Sequence, residues 1–188
     1  MKTILKSLVI LTAALGTVAF TNTISKKINV QNSTIEWKGK KVLGSHTGTI
    51  KLKEGHLEME GQQLTGGMFV VDMTTINVTD LEGESKGKLE GHLKSDDFFG
   101  IAEYPTATFT ITTTQKMAGR YELTGNMTIK GHTEEIKMDM EVGSDFASAS
   151  FKVDRTKYGV QYGSGSFFDG LGDRAISDNF ELNVMLKF

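Results

Sequence analysis

Four histidines, His46, His56, His92 and His132, are the side chains best suited to acid–base work near neutral pH. None sits in a His-Glu-x-x-His pattern and no two lie three or four residues apart, so no helix face offers a zinc pair. His56 and His132 adjoin turn-type glycines and read as solvated turn residues. His92 has Asp96 four positions on, a spacing that suits an acid–base pair or, more simply, a surface cap. Asp169, Asp173 and Asp178 punctuate a glycine-rich stretch without the Asp-x-Asp-x-Asp-Gly spacing of a calcium loop. There is no Gly-x-Ser-x-Gly elbow and no phosphate loop ending in Lys-Ser or Lys-Thr. The sequence holds no cysteine, which excludes disulfides, thiolate metal sites, a cysteine nucleophile and a lipid-modified N-terminal cysteine together. No catalytic residue, metal site or cofactor is therefore assigned.

The apolar residues say more. Met59, Met68, Met73, Met127, Met138 and Met140 fall on strand-like segments, where methionine either fills a core or lines an adaptable pocket. Together with Phe98, Phe99, Phe109, Phe151, Phe167 and Phe168 they could line a deep apolar cavity. The elements that must carry them alternate with period two. Tyr121, Leu123, Gly125, Met127 and Ile129 share one face, as do Ile136, Met138, Met140 and Val142; Ala149, Phe151 and Val153; and Phe180, Leu182, Val184, Leu186 and Phe188. Ile35 with Trp37, Ile50 with Leu52, Leu57 with Met59, and Ala107-Phe109-Ile111 are weaker copies. Residues 66–76 are apolar on both sides, so a second element should cover them.

This makes about eight strands in one domain, joined by turns expected at Glu54-Gly55, Ala118-Gly119 and Lys130-Gly131-His132. Such short connections imply antiparallel neighbours, in a sandwich or a closed barrel. Residues 80–99 carry Leu89 and Leu93 at helical spacing, with Ser95 or Asp96 placed to cap a helical turn. Gly87 and Gly91 weaken that helix by about 1 kcal/mol each relative to alanine. Residues 159–178 read as a long glycine-rich loop. At the start, Lys2 and Lys6 precede the apolar run Leu8–Phe20, the pattern of a secretory signal with cleavage near Ala19 or Thr21. The expected division is a signal over residues 1–20 and one domain over 21–188, with no integral membrane segment once the signal is removed. A net charge of −2 gives no attraction to nucleic acid.

Four stretches, in order, resemble the YceI-like family: Ser33-Thr34-Ile35-Glu36-Trp37, Gly91 through Phe99 continuing to Tyr104–Phe109, Leu123 through Thr133, and Asp154-Arg155-Thr156-Lys157-Tyr158-Gly159. The resemblance implies an all-β, eight-stranded antiparallel barrel of lipocalin-like shape, exported, with an elongated pocket for a polyisoprenoid chain such as an isoprenoid quinone or prenyl phosphate. An eight-stranded barrel is wide enough to hold one small ligand. Residues 162–172 are fuller than in the family's simplest members.

From pattern and placement, the ligand-binding candidates are Trp37, Met68, Val70, Phe98, Phe99, Phe109, Met127, Ile129, Met138, Phe151, Tyr158, Phe167 and Phe168. The expected activity is binding of an isoprenoid or other long-chain lipid, as carrier or sequestering protein in the periplasm or outside the cell, with a homodimer left open. Two alternatives stand beside it. One is an enzyme on an apolar substrate using His92 with Asp96, or Asp154 with Arg155. The other is a barrel that binds another protein through a strand edge.

Overall fold

The computed structural model describes residues 22–188; the expected signal segment, residues 1–20, lies outside them. Nine strands run β1 Thr23–Lys27, β2 Thr34–Lys41, β3 Ser45–Glu60, β4 Gln63–Val78, β5 Thr106–Lys116, β6 Tyr121–Ile129, β7 His132–Val142, β8 Phe146–Asp154 and β9 Ile176–Lys187, with one helix, α1, at Gly83–Lys94. All pairings between these strands are antiparallel. Strands β2 to β9 follow one another around a ring in the order β3-β2-β9-β8-β7-β6-β5-β4, and β3 pairs back to β4 to close it. The result is an eight-stranded barrel, and closure leaves its ring with no free edge. Strand β1 extends the ring by pairing with the second half of β3, Thr23 opposite Glu60 through Lys27 opposite His56.

That ninth strand carries no clear alternation in TISKK, which is why its pairing is not legible from the chain. The expected turn at Glu54-Gly55 is absent as well. Both residues lie inside β3, a single strand of 16 residues that spans the Ile50–Leu52 and Leu57–Met59 segments. Register shifts against β4 between Leu52 and Glu54, and again between Glu58 and Met59, bend this strand without ending it. The Lys130-Gly131 turn is as expected. Both residues have positive φ, 49° and 75°, as a two-residue turn of the mirror-image type requires to join β6 to β7.

Inside and outside follow the alternation. In β6 the odd residues Tyr121 to Ile129 are all buried while the even ones are half-buried or exposed. One end of the barrel is filled: Leu57, Leu64 and Leu123 are fully enclosed, and the Tyr121 hydroxyl accepts from the Leu64 amide at 3.3 Å. The opposite end, the mouth, holds the β2–β3 turn, α1 and the long connection from β8 to β9. The helix buries no residue completely and has no side-chain N-cap, so its position rests on tertiary contacts. Lys86 donates to Asn77 Oδ1 and Glu90 accepts from the Val78 amide, each at 2.9 Å. It thus lies against the last residues of β4, and the expected cover over 66–76 is confined to that end. Ser95 terminates the helix, its amide and hydroxyl both donating to the His92 carbonyl.

Candidate functional site

Between the filled end and the mouth lies a cavity of about 190 Å³. Its wall is made by inward side chains from all eight of the barrel's strands and is almost wholly apolar. Strand β2 contributes Ile35 and Trp37, β3 Ile50 and Leu52, β4 Phe69, Val71, Met73 and Ile76, and β5 Ala107 and Phe109. Met127 and Ile129 of β6, Met138 and Met140 of β7, Ala149 and Phe151 of β8, and Phe180, Leu182, Val184 and Leu186 of β9 complete the ring. At the mouth the wall is finished by Leu93, Phe98 and Phe99 from α1 and the turn after it, and by Arg155. Phe98 packs edge-on to Phe99 at 5.0 Å between centroids, and Phe99 to Phe180 at 6.4 Å.

Glycines make room for the aromatic rings. Gly48 stands opposite Trp37 across the β2–β3 pair, and a β-carbon there would fall 2.3 Å from the indole. The indole N–H is not left unpaired in this apolar wall; it donates to the Thr49 carbonyl at 3.2 Å. Gly125 leaves the same space for Phe109, whose ring would lie 2.5 Å from an added β-carbon.

Arg155 is the one charged group in the lining and is only 2% exposed. Its donors are taken up by backbone: Nε by Ser177 O at 2.9 Å, Nη1 by Val160 O at 2.7 Å and Tyr162 O at 2.9 Å, and Nη2 by Ile176 O at 3.0 Å. Burial lowers its pKa, against the opposing pull of Asp178 and Asp154; with so basic a group the cation persists. Nη2 also lies 3.7 Å from Asp178 Oδ1. Hydrogen bonds from the Ser164 and Ser166 hydroxyls, with Arg155 nearby, hold Asp178 below the usual carboxylate range despite its partial burial. This side chain therefore staples the connection between β8 and β9, with four of its five N–H donors bonded to backbone carbonyls.

Of the candidates named from sequence, Trp37, Phe98, Phe99, Phe109, Met127, Ile129, Met138 and Phe151 meet in the cavity wall. Five do not. Met68 and Val70 occupy the opposite face of β4, whose inward set is Phe69, Val71 and Met73. A run apolar on both faces does not reveal its phase; here the odd residues from 69 to 73 point in, and the register shift opposite Thr49–Lys51 changes the phase so that Ile76 does as well. Tyr158 is buried at 1% exposure within the 3-10 turn Arg155–Tyr158, away from the lining. Phe167 and Phe168 are each 50% exposed on the connection to β9 and close nothing. Residues missed include the β9 set Phe180, Leu182, Val184 and Leu186, whose alternation is plain in the sequence, and Arg155, whose burial leaves no local trace.

Neither acid–base pairing is assembled. The His92 ring lies between Tyr162, at 4.4 Å, and Phe98, at 5.5 Å, and its buried Nε2 has no partner. Asp154 Oδ1 caps the turn after β8 by accepting from the amide and hydroxyl of Thr156. Among the described residues there is no cluster of three or more His, Asp or Glu able to hold a metal, and no helix long and apolar enough to cross a membrane.

Comparison with known proteins agrees with this architecture. The model of the YceI-like domain matches residues 27–188. Protein YceI of Escherichia coli O157:H7 is 34% identical over 68 residues, which are 36% of this chain and 35% of that protein. Protein YceI of Salmonella arizonae is 31% identical over 95 residues, 50% of this chain and 48% of that one. The aligned stretches thus span about a third to a half of these relatives. Among solved structures, BcnA of Burkholderia cenocepacia superposes with a TM-score of 0.70 at 17% identity, covering 85% of this chain and 98% of that one. A polyisoprenoid binding domain from Saccharophagus degradans, implicated in plant cell wall breakdown, gives 0.58 at 12% identity, covering 85% and 95%. At these identities the likeness is one of fold.

Proposed function

The chain belongs to the YceI-like family, and on that premise we propose that it binds the hydrocarbon chain of an isoprenoid-like lipid inside its barrel, as an exported carrier or sequestering protein. The observation that carries this reading is the apolar cavity inside the barrel, walled by aromatic and methionine side chains and holding no unpaired charge. Water in such a space makes few hydrogen bonds, and an alkyl or prenyl chain displaces it favourably. Methionines 73, 127, 138 and 140 suit a ligand without fixed shape, since the thioether chain adapts to irregular surfaces. The Saccharophagus degradans domain supplies a precedent within the same fold, though no residue correspondence. Export rests on the Lys2–Phe20 pattern and places the protein in the periplasm or outside the cell.

The test is native mass spectrometry of protein purified gently from its own host, followed by organic extraction. We expect one extractable lipid per chain. A clean apo mass, with no uptake of added isoprenoid quinones or prenyl phosphates, would sink the proposal.

A further inference from the structure

We propose that the mouth of the barrel docks on the surface of a lipid bilayer, through two turn tips that lead into the cavity. This rests on the lipid-binding reading above and adds to it the surface from which the ligand is taken or to which it is given. Five large apolar side chains stand exposed at this end: Val42 (58%), Leu43 (66%), Tyr162 (49%), Phe167 (50%) and Phe168 (50%). They sit on two segments hung from one point. The Val42 amide donates to the Ala175 carbonyl at 3.2 Å, and Ser164, whose carbonyl accepts from the amides of Phe167 and Phe168, bridges to Ile176.

Ile176 itself lines the cavity, so the tips are continuous with the ligand site. A second path leads the same way: Tyr162 packs on His92, His92 on Phe98, and Phe98 lines the cavity. A chain leaving the barrel by this route would stay against apolar side chains as far as the exposed tips.

The shape and charge of the surface favour a fluid partner over a folded one. The apolar residues are tips of separate turns, which insert singly into an interface and need no matching surface. Lys41 and Arg174 flank them, exposed and in no salt bridge among the described residues, but Asp169 and Asp173 balance that charge. Docking is therefore driven by apolar insertion, with little dependence on salt or on anionic lipid.

The experiment is flotation of the exported protein with phosphatidylcholine vesicles, with and without phosphatidylglycerol, at low and high salt. The variant Leu43→Ser with Phe168→Ser removes the two tips, and neither residue lines the cavity. Ile24→Ser with Met117→Ser makes the equivalent change at the filled end, where both residues are also exposed. Each protein is also loaded with an isoprenoid quinone from detergent micelles. We expect the parent and the filled-end variant to float, the tip variant to lose at least tenfold in vesicle binding, and all three to load equally.

Docking is overturned if the parent loads quinone but does not float, or if the tip variant floats as well as the parent. It is equally overturned if the tip substitutions only dissolve a dimer in ultracentrifugation, which would assign this surface to a second copy. Failure of the parent to load quinone at all overturns the lipid-binding reading instead, and this proposal with it.

Discussion

Arg155 and Tyr158 belong to the same short turn and have opposite hydrogen-bonding fates. Arg155 spreads its guanidinium over four backbone carbonyls, which fixes the start of β9 and the loop before it. Replacing it by methionine keeps the length but strands those carbonyls, and we expect a loss of about 3 kcal/mol or more. Lysine should not rescue it, because one ammonium cannot reproduce the planar fork. Thermal melting measures the cost, and limited proteolysis should show new cleavage within residues 159–175. Tyr158 instead has a buried hydroxyl without a partner. Burial, with Glu134 and Asp154 nearby, pushes its pKa up to about 12. In the unfolded chain the phenol titrates near 10. The folded state thus keeps a proton the unfolded state releases, so this stabilisation is complete below about pH 10 and disappears as pH rises toward 12. Tyr158→Phe removes both the orphan hydroxyl and the titration. We expect a gain of roughly 1 kcal/mol near neutrality and a flatter alkaline limb in a melting-temperature series. An unchanged alkaline limb would show that the phenol is solvated.

At the scale of strands, period-two alternation decides what faces the ligand wherever polar residues mark the other face. Ile129 lines the cavity, whereas Thr128 exchanges a hydroxyl contact with Thr133 on the outside of the β6–β7 pair. Ile129→Asp should therefore cost several kcal/mol by burying an unpaired carboxylate. Thr128→Asp should cost under about 1 kcal/mol, and comparison of their urea midpoints checks this. Strand β4 shows where the reading fails. Met68, Val70, Phe69 and Val71 are all apolar, so nothing in the local sequence distinguishes the two phases, and pairing to β3 and β5 fixes it. The glycines that make room for Trp37 and Phe109 are likewise illegible, because an aromatic and its glycine lie on different strands. Gly125→Val would press on both the Phe109 ring and the Thr110 carbonyl, 2.6 Å from an added β-carbon, so it should lower the melting temperature as well as ligand affinity. The loop from β8 to β9 was recognisable as irregular from its glycines. Its fixation by a buried arginine was not, since all of that arginine's hydrogen-bond acceptors are backbone carbonyls, up to 22 residues away.

At the scale of the whole molecule, the cavity volume sets the length of ligand it can enclose. About 190 Å³ is a little more than the roughly 150 Å³ that accommodates benzene in an engineered apolar cavity. One or two isoprene units fill it without rearrangement, and a longer chain must either displace side chains or remain at the mouth. The filled end resists the first course, because Leu57, Leu64 and Leu123 are packed at 0% exposure behind the Tyr121 hydrogen bond. Removing water from a methylene is worth about 0.8 kcal/mol, so each enclosed five-carbon unit is worth more than a tenfold change in affinity. In a series of prenols of increasing length, affinity should therefore climb steeply over the first units. It should then level off once the chain reaches the mouth, where further carbons touch only half-exposed side chains. Trp37 is the sole tryptophan and stands in the wall, so its fluorescence reports occupancy directly. A rise that continued undiminished to eight units would mean that the methionine-lined wall yields and the filled end opens. In that case Leu64→Trp, which blocks that end, should restore the early plateau.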